Sequence, residues 1–401
     1  MEAGSITGGP VRFHEISRRW QARGELGLHL MTTAGGAGML RRMGCTLPMT
    51  RVPAALFANR EWFRLQRFWS YCISAFASRF VVRRLPPVNT VITVSDYFCD
   101  VVPACLMRRR HPGCRWIAWI HHRELPPSER PGNRLVNHIT WRMQEWSLRR
   151  IAARADAAWL YDTEAGDQVR ERLLALGMAP ERIRTMRCGI NLDDIRRAPA
   201  GEPDIDAVMI GVRPNKGLHD ILPVWEELQR LRPGTTLRLM GGMSGEGPLL
   251  QEIARRGWQK LIEVFKPPQG FLPQDEYYAM IKRARLLFAP SHEEGWGMAV
   301  AEAMAAGVPV VAYDLPVYRR IYGAAFEAVP CFDTRHFAAA LQSLLDDPAR
   351  AARFRDAGLR QAAALDWNTL AEEDWEALTS PHTVLPQHLV QHQRPGHAGI
   401  Q

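Results

Sequence analysis

No run of 18 consecutive apolar residues occurs in this 401-residue chain, and no N-terminal segment has the hydrophobic centre of a signal peptide. An integral membrane span is excluded on sequence grounds, so any membrane contact is peripheral. Disulfide chemistry is also thin. The cysteines number seven, are scattered and contain no Cys-x-x-Cys pair, which indicates neither a disulfide framework nor a zinc site and fits a reducing cytoplasm. Lysine is nearly absent: Lys216, Lys260, Lys266 and Lys282 are the four in the chain. One Asp-x-Asp occurs, Asp204-Ile-Asp206, in a Pro-containing connection rather than after a strand, so no metal is expected.

Acid is scarce in the first half. Residues 1–200 hold 31 arginines, no lysine and 17 acids, net +14, whereas 201–401 hold 20 basic and 25 acidic residues, net −5. Substituting Arg for Lys cannot create net charge, so the imbalance points to an anionic partner for the N-terminal half. A hydrophobic content of 46% over this length suffices for two ordinary cores.

The second half alternates strand-like and helical stretches, with strands at 207–212, 236–240, 261–265, 286–289 and 308–312. Helices are read at 218–231, 248–256, 274–284, 298–306, 334–345, 348–364 and 367–378. This is a doubly wound α/β pattern. The first half alternates too, with strands at 26–31, 90–95, 114–121, 157–161 and 183–187. A hinge falls near 196–206, where Ala-Pro-Ala-Gly-Glu-Pro interrupts the pattern. After Thr379 the chain turns to Pro, Gln and His, a composition suited to a loose tail. Ligands of open α/β sheets bind beyond the carboxyl ends of the strands, so residues following strands are the first candidates for chemistry.

The stretch from Glu294 to Val311 is the most informative. Between Met298 and Ala306 every residue but Glu302 is Met, Ala or Val, and Gly307 is a natural helix stop. No Lys or Arg lies three or four residues from Glu302, so a buried charge there needs other donors, and sugar or ribose hydroxyls would serve. Glu294 falls just before the helix, where the free amides of Gly295, Trp296, Gly297 and Met298 can face an anion. The plainer alternative makes Glu294 a capping residue and Glu302 a solvent-facing one. Likewise Lys216, in Arg213-Pro-Asn-Lys216-Gly217 between a strand and a helix, sits unfavourably at a helix N-terminus unless an anion lies against it; the alternative is a solvated loop.

Ser291 and the two glutamates seven residues apart resemble the E-x7-E signature of the retaining family-4 glycosyltransferases. That resemblance implies the GT-B fold: two Rossmann-like doubly wound domains facing a central cleft. It implies an acceptor-binding domain over 1–198, a nucleotide-sugar-binding domain over 199–366 and a crossover helix over 367–379 returning to the first domain, followed by a disordered tail over 380–401. It assigns Glu294 to the donor sugar and Glu302 to the ribose, with Gly295, Trp296, Gly297 and Met298 also at the donor. Arg213 and Lys216 resemble the pair that grips the donor diphosphate. Gly9 resembles the glycine of the first loop, near donor phosphates and acceptor. A histidine near the sugar is implied at the end of the strand 115–120, and His122 is preferred over His121. Gly245-Glu-Gly-Pro is similar to a turn of this family; the loop 266–270 is placed near the base by its position after another strand, not by the resemblance. Family members begin with a strand running into the Gly-Gly loop, yet Met1 lies only seven residues before Gly8; the first strand is expected to be missing and the true start to lie upstream.

The expected function is therefore a retaining, metal-independent hexosyl transfer from a nucleotide-diphosphate sugar, UDP- or GDP-linked, with no further cofactor. The acceptor would be a glycan or a lipid-linked molecule, in cell-surface polysaccharide or glycolipid biosynthesis. Residues 60–84 interleave aromatics with arginines, as do 130–150, which suits either an anionic membrane surface or an ordinary lobe helix facing the core. The location that follows is cytoplasmic, with peripheral contact at the inner face of the membrane. No nucleic-acid-binding module accompanies the basic residues. The rival readings are a nucleotide-sugar epimerase of the same fold and a non-catalytic membrane-associated partner. A pyridoxal-phosphate-dependent phosphorylase is disfavoured, because no lysine-bearing segment resembles its cofactor site.

Overall fold

A computed structural model of the protein describes residues 8–53, 63–121, 123–124, 126–129, 133–266 and 272–379. The second lobe is a six-stranded, wholly parallel sheet. Its strands are β7 (Ile205–Val212), β8 (Leu237–Met243), β9 (Ile262–Val264), β10 (Ala284–Ala289), β11 (Val310–Tyr313) and β12 (Glu327–Val329), in the order β12-β11-β10-β7-β8-β9. Helices cover both faces, so the central strands are apolar throughout: Ala207, Val208, Leu287, Phe288, Val310 and Val311 are all at most 1% exposed. The order reverses between β7 and β10, which places a crevice beyond the carboxyl ends of these two neighbours.

The first lobe is divided. β3 (Thr90–Thr93), β4 (Arg115–Ile120), β5 (Ala157–Tyr161) and β6 (Ile183–Met186) form a four-stranded parallel sheet, whereas β1 (Leu30–Thr33) pairs with β2 (Met49–Val52) in a separate parallel ribbon. Among the described residues β1 and β3 each have a strand on one side only. All four residues of β1 and three of β3 stay half-buried, while β4 and β5 are buried after their first residue. The cavity between the lobes runs along both of these edges. The expected strand at 26–31 starts later, at Leu30. Met49–Val52, the helix Pro316–Tyr322 and Glu327–Val329 were not foreseen.

The helix Trp367–Thr379 lies against the first helix, Gly8–Arg23. Trp20 donates its indole N–H to the carbonyl of Ala371 at 3.0 Å and meets Trp375 edge to face, with ring centroids 6.3 Å apart. Beneath them the fully buried Arg12 guanidinium pairs with Asp374, covers the face of Trp119 at 4.4 Å and donates from Nε to the carbonyl of Arg187 at 2.9 Å. One continuous buried core joins the lobes, from Ile16, Trp119 and Trp159 through Met186 and Ile195 to Ile281, Val300 and Trp367.

Candidate functional site

A cavity of about 3580 Å³ separates the lobes, larger than the few hundred to about 1,000 Å³ of a single small-molecule pocket. It is lined by both lobes and takes in Gly9, Arg213, Lys216, Glu294, Gly295, Trp296, Gly297, Met298 and Glu302. The loops after β7 and β10 are locked together at its floor. The amides of His292 and Glu293 donate to the carbonyl of Asn215 at 3.0 and 3.3 Å. Gly217, with φ +81°, passes so close to Pro290 that a Cβ would lie 2.0 Å from its carbonyl oxygen. Only glycine satisfies both conditions.

This packing decides the contact that matters most. Lys216 forms an ion pair with Glu294, 78 positions away, and the same Oε1 accepts from Ser291 Oγ at 3.0 Å and Tyr318 OH at 3.1 Å. Both partners are largely buried, at 16% and 9% side-chain exposure, so the pair sits where charge is weakly screened. The expected geometry of Lys216 needs correcting: it lies in the short 3₁₀ turn Pro214–Lys216, the α-helix starts only at Ile221, and the anion against it is Glu294. Arg213 opens the same turn and faces the cavity.

The glutamate helix runs from Met298 to Ala305, preceded by Gly297 in the left-handed region at φ +89°. A Cβ on Gly297 would come within 2.5 Å of Tyr318 Cε1, and Tyr322 donates to the Gly297 carbonyl at 2.8 Å. Two tyrosines thus hold the turn from which the first amides of the helix emerge, and those amides have no partner inside the helix. Glu302, one of the carboxylates lining the cavity, accepts from Tyr277 OH at 2.8 Å. Burial raises its carboxyl to about 7, and the Tyr277 hydrogen bond only partly opposes this.

The sign of that shift gives a test. The unfolded carboxyl, with its ordinary value of 4.5, loses its proton well before the folded one at about 7. Between these values the native state holds the extra proton, so stability falls as pH rises through the window, by on the order of 3 kcal/mol in all. Thermal unfolding at pH 5 and pH 8 should show a steeper fall in the wild type than in Glu302→Gln, which keeps the contribution of buried Asp100, itself raised to about 6. Equal slopes in the two proteins would mean that Glu302 is not held protonated.

On the first lobe His121 reaches the cavity from the end of β4, its Nε2 2.5 Å from the Val94 carbonyl and its ring centroid 5.1 Å from that of Tyr161. Gly9 abuts it, since a Cβ there would lie 3.1 Å from the imidazole. Gly9 is within the helix that starts at Gly8, not in a preceding loop as expected. His122 lies outside the described residues, as do 267–270 of the loop read near the base. Lys266 is half-exposed and pairs with Glu246 at 3.3 Å. Asp204 is taken up by Arg238 and Arg283, and Asp206 by Arg285 and Thr236. Among the described residues no three His, Cys, Asp or Glu side chains form a group that could hold a metal ion. Tyr277, Tyr318 and Tyr322 were not identified from the sequence, and no local pattern marks them.

Residues 193–361 match the family described as glycosyl transferases group 1. A D-inositol 3-phosphate glycosyltransferase of Thermobispora bispora is 30% identical over 243 residues, 55% of this chain and 56% of that protein. A glycogen synthase of Mycobacterium tuberculosis is 33% identical over 159 residues, 39% of this chain and 37% of that one. The chain thus spans about half, or less, of the curated relatives it matches. Among solved structures, sucrose-phosphate synthase of Thermosynechococcus elongatus aligns over 94% of this chain and 95% of its own with a TM-score of 0.67 and 16% identity. HepE of Anabaena, in complex with UDP and glucose, aligns over 95% and 98% with a TM-score of 0.66 and 15% identity. These likenesses show the GT-B fold.

Proposed function

We propose, on the premise that residues 193–361 belong to the glycosyl transferases group 1 family, that the protein moves a sugar from a nucleotide-diphosphate donor to an acceptor held by the first lobe. The observation that carries this reading is the buried Lys216–Glu294 pair at the switch point between β7 and β10, with Arg213 in the same turn. The donor diphosphate lies against Arg213, Lys216 and the amides that follow Gly297. Glu294 faces the sugar and Glu302 the ribose hydroxyls. A UDP-linked donor is favoured, since the structural neighbour HepE was solved with UDP and glucose.

Breaking the bond between the anomeric carbon and the diphosphate oxygen moves the bonding pair onto that oxygen. Fixed cations there lower the barrier without a metal. The acceptor hydroxyl attacks from the face that the diphosphate leaves, and its proton passes to the departing phosphate oxygen, so the anomeric configuration is retained. The acceptor is a glycan or a lipid-linked molecule, in cell-surface polysaccharide or glycolipid assembly, and the first lobe works at the inner face of the cytoplasmic membrane. Its net charge of +14 over 1–200 supports an anionic acceptor or surface.

UDP-, GDP- and ADP-sugars should be screened for protection against thermal unfolding, a ligand at a hundredfold its Kd adding about 2.7 kcal/mol. The protecting donor is then incubated with lipid-linked and glycan acceptors and the product read by NMR. A product of the donor's own anomeric configuration is expected; an inverted one overturns the mechanism. Conversion of free donor without acceptor would instead identify an epimerase, and absence of any protection a non-catalytic homologue.

A further inference from the structure

The helix Phe63–Val82 carries two distinct faces. Ala75, Ser78 and Val82 are at most 4% exposed and pack inward, while Trp69, Ile73, Phe76 and Phe80, spaced four, three and four residues apart, are 57, 39, 59 and 44% exposed. This spacing places the four on one stripe. Large apolar side chains grouped in this way on a surface mark an interaction site. The Arg79 guanidinium lies 3.9 Å from the Phe76 ring centroid and 4.5 Å from that of Phe80, and exposed Arg83 and Arg84 follow in the next turn. From Trp62 to Ser95 the sequence contains no Asp or Glu.

We propose that this stripe is a membrane-docking face that inserts its aromatic side chains between the headgroups of an anionic bilayer, with Arg79, Arg83 and Arg84 on the lipid phosphates. Two arguments select a bilayer. Aromatic rings ringed by arginine, with no acid near them in sequence, match an apolar layer beneath negative headgroups. A second copy of the chain would bring the same arginines face to face across a two-fold axis, and nothing on the stripe would neutralise them. No described helix is long and apolar enough to cross a membrane, so the helix lies on the surface.

The docking orients the enzyme. Tyr71 and Ser74, on the same helix, line the inter-lobe cavity, and Tyr71 stacks on Tyr97 with centroids 5.4 Å apart. Both lie on the side of the helix away from the stripe, so a helix lying in the lipid surface holds the cavity just above the headgroups, where the sugar-accepting end of a lipid-linked acceptor projects. This consequence rests on the transferase reading above; the docking itself does not.

Flotation of the full chain with vesicles of phosphatidylcholine alone, and with about a third phosphatidylglycerol, tests the face. Binding to the anionic vesicles is expected, weakening with salt. A loss of roughly tenfold or more is expected in Phe76→Ser/Phe80→Ser and in Arg79→Glu/Arg83→Glu, since each basic residue near such a surface is worth a severalfold change. Both variants alter exposed side chains and should keep the wild-type thermal midpoint and its shift with the protecting nucleotide sugar. Failure of that shift in all three proteins would count against the transferase reading and not against docking. The docking proposal is overturned if wild type ignores anionic vesicles, if both variants bind as it does, or if the same substitutions abolish a concentration-dependent dimer.

Discussion

Lys216→Ala is expected to lower the rate of sugar transfer by roughly two to three orders of magnitude, with kcat and kcat/KM falling together, as for loss of a fixed donor to charge that develops only in the transition state. Two effects act in the same direction. On the proposed mechanism the departing diphosphate loses a cation, and Glu294, at 9% exposure, loses the charge that balances it, keeping Ser291 and Tyr318 as neutral donors. The second effect also disturbs the carboxylate that the proposed mechanism sets against the sugar. Initial rates over a range of donor concentrations separate this from a binding defect. A variant whose KM alone rises, with kcat within threefold of wild type, would show that Lys216 holds the ground-state donor and does not assist departure.

The largest expected loss of stability belongs to Asp374→Ala. Arg12 is completely buried and its carboxylate partner is 4% exposed, so removing the partner strands a guanidinium in the core between the first and last described helices. The remaining acceptor is the Arg187 carbonyl, and Arg184, 3.5 Å from Asp374, becomes a like-charged neighbour with less to offset it. Breaking a buried pair in this way costs about 3–5 kcal/mol, whereas replacing both partners with apolar side chains of similar volume is often nearly neutral. The thermal midpoint should therefore drop by roughly 4–6 °C in Asp374→Ala. Much of that should be recovered in Arg12→Met/Asp374→Leu. A single variant that melts with the wild type would mean that water reaches Arg12, and that the helix Trp367–Thr379 does not depend on the pair.

Much of the second lobe is legible in the sequence, because a parallel sheet covered on both faces needs unbroken apolar runs such as 207–212 and 286–289, and few other structures produce them. The first lobe is harder. Met49–Val52 has an exposed Arg51 between Thr50 and Val52 and no apolar run to mark it, and β1 begins only where Leu30 finds Met49 as a partner. Glu302 is conspicuous in sequence as the single charge in an apolar helix. Its hydroxyl partner Tyr277 is invisible there, because they meet through the packing of two helices 25 residues apart.

The composition and order of residues by themselves determined the alternation of strands and helices, the absence of an apolar span, the basic first half and the two carboxylates beside a glycine turn. These are properties of local pattern and of charge count, which survive whatever the chain does at long range. Only the tertiary structure decided which charges meet. Lys216 and Glu294 become partners because the strand order reverses between β7 and β10, bringing the two following loops edge to edge, and the Glu302 carboxyl is raised because the surrounding helices strip much of its hydration. Coulombic attraction and desolvation both depend on distances in space, and sequence separation does not specify those distances.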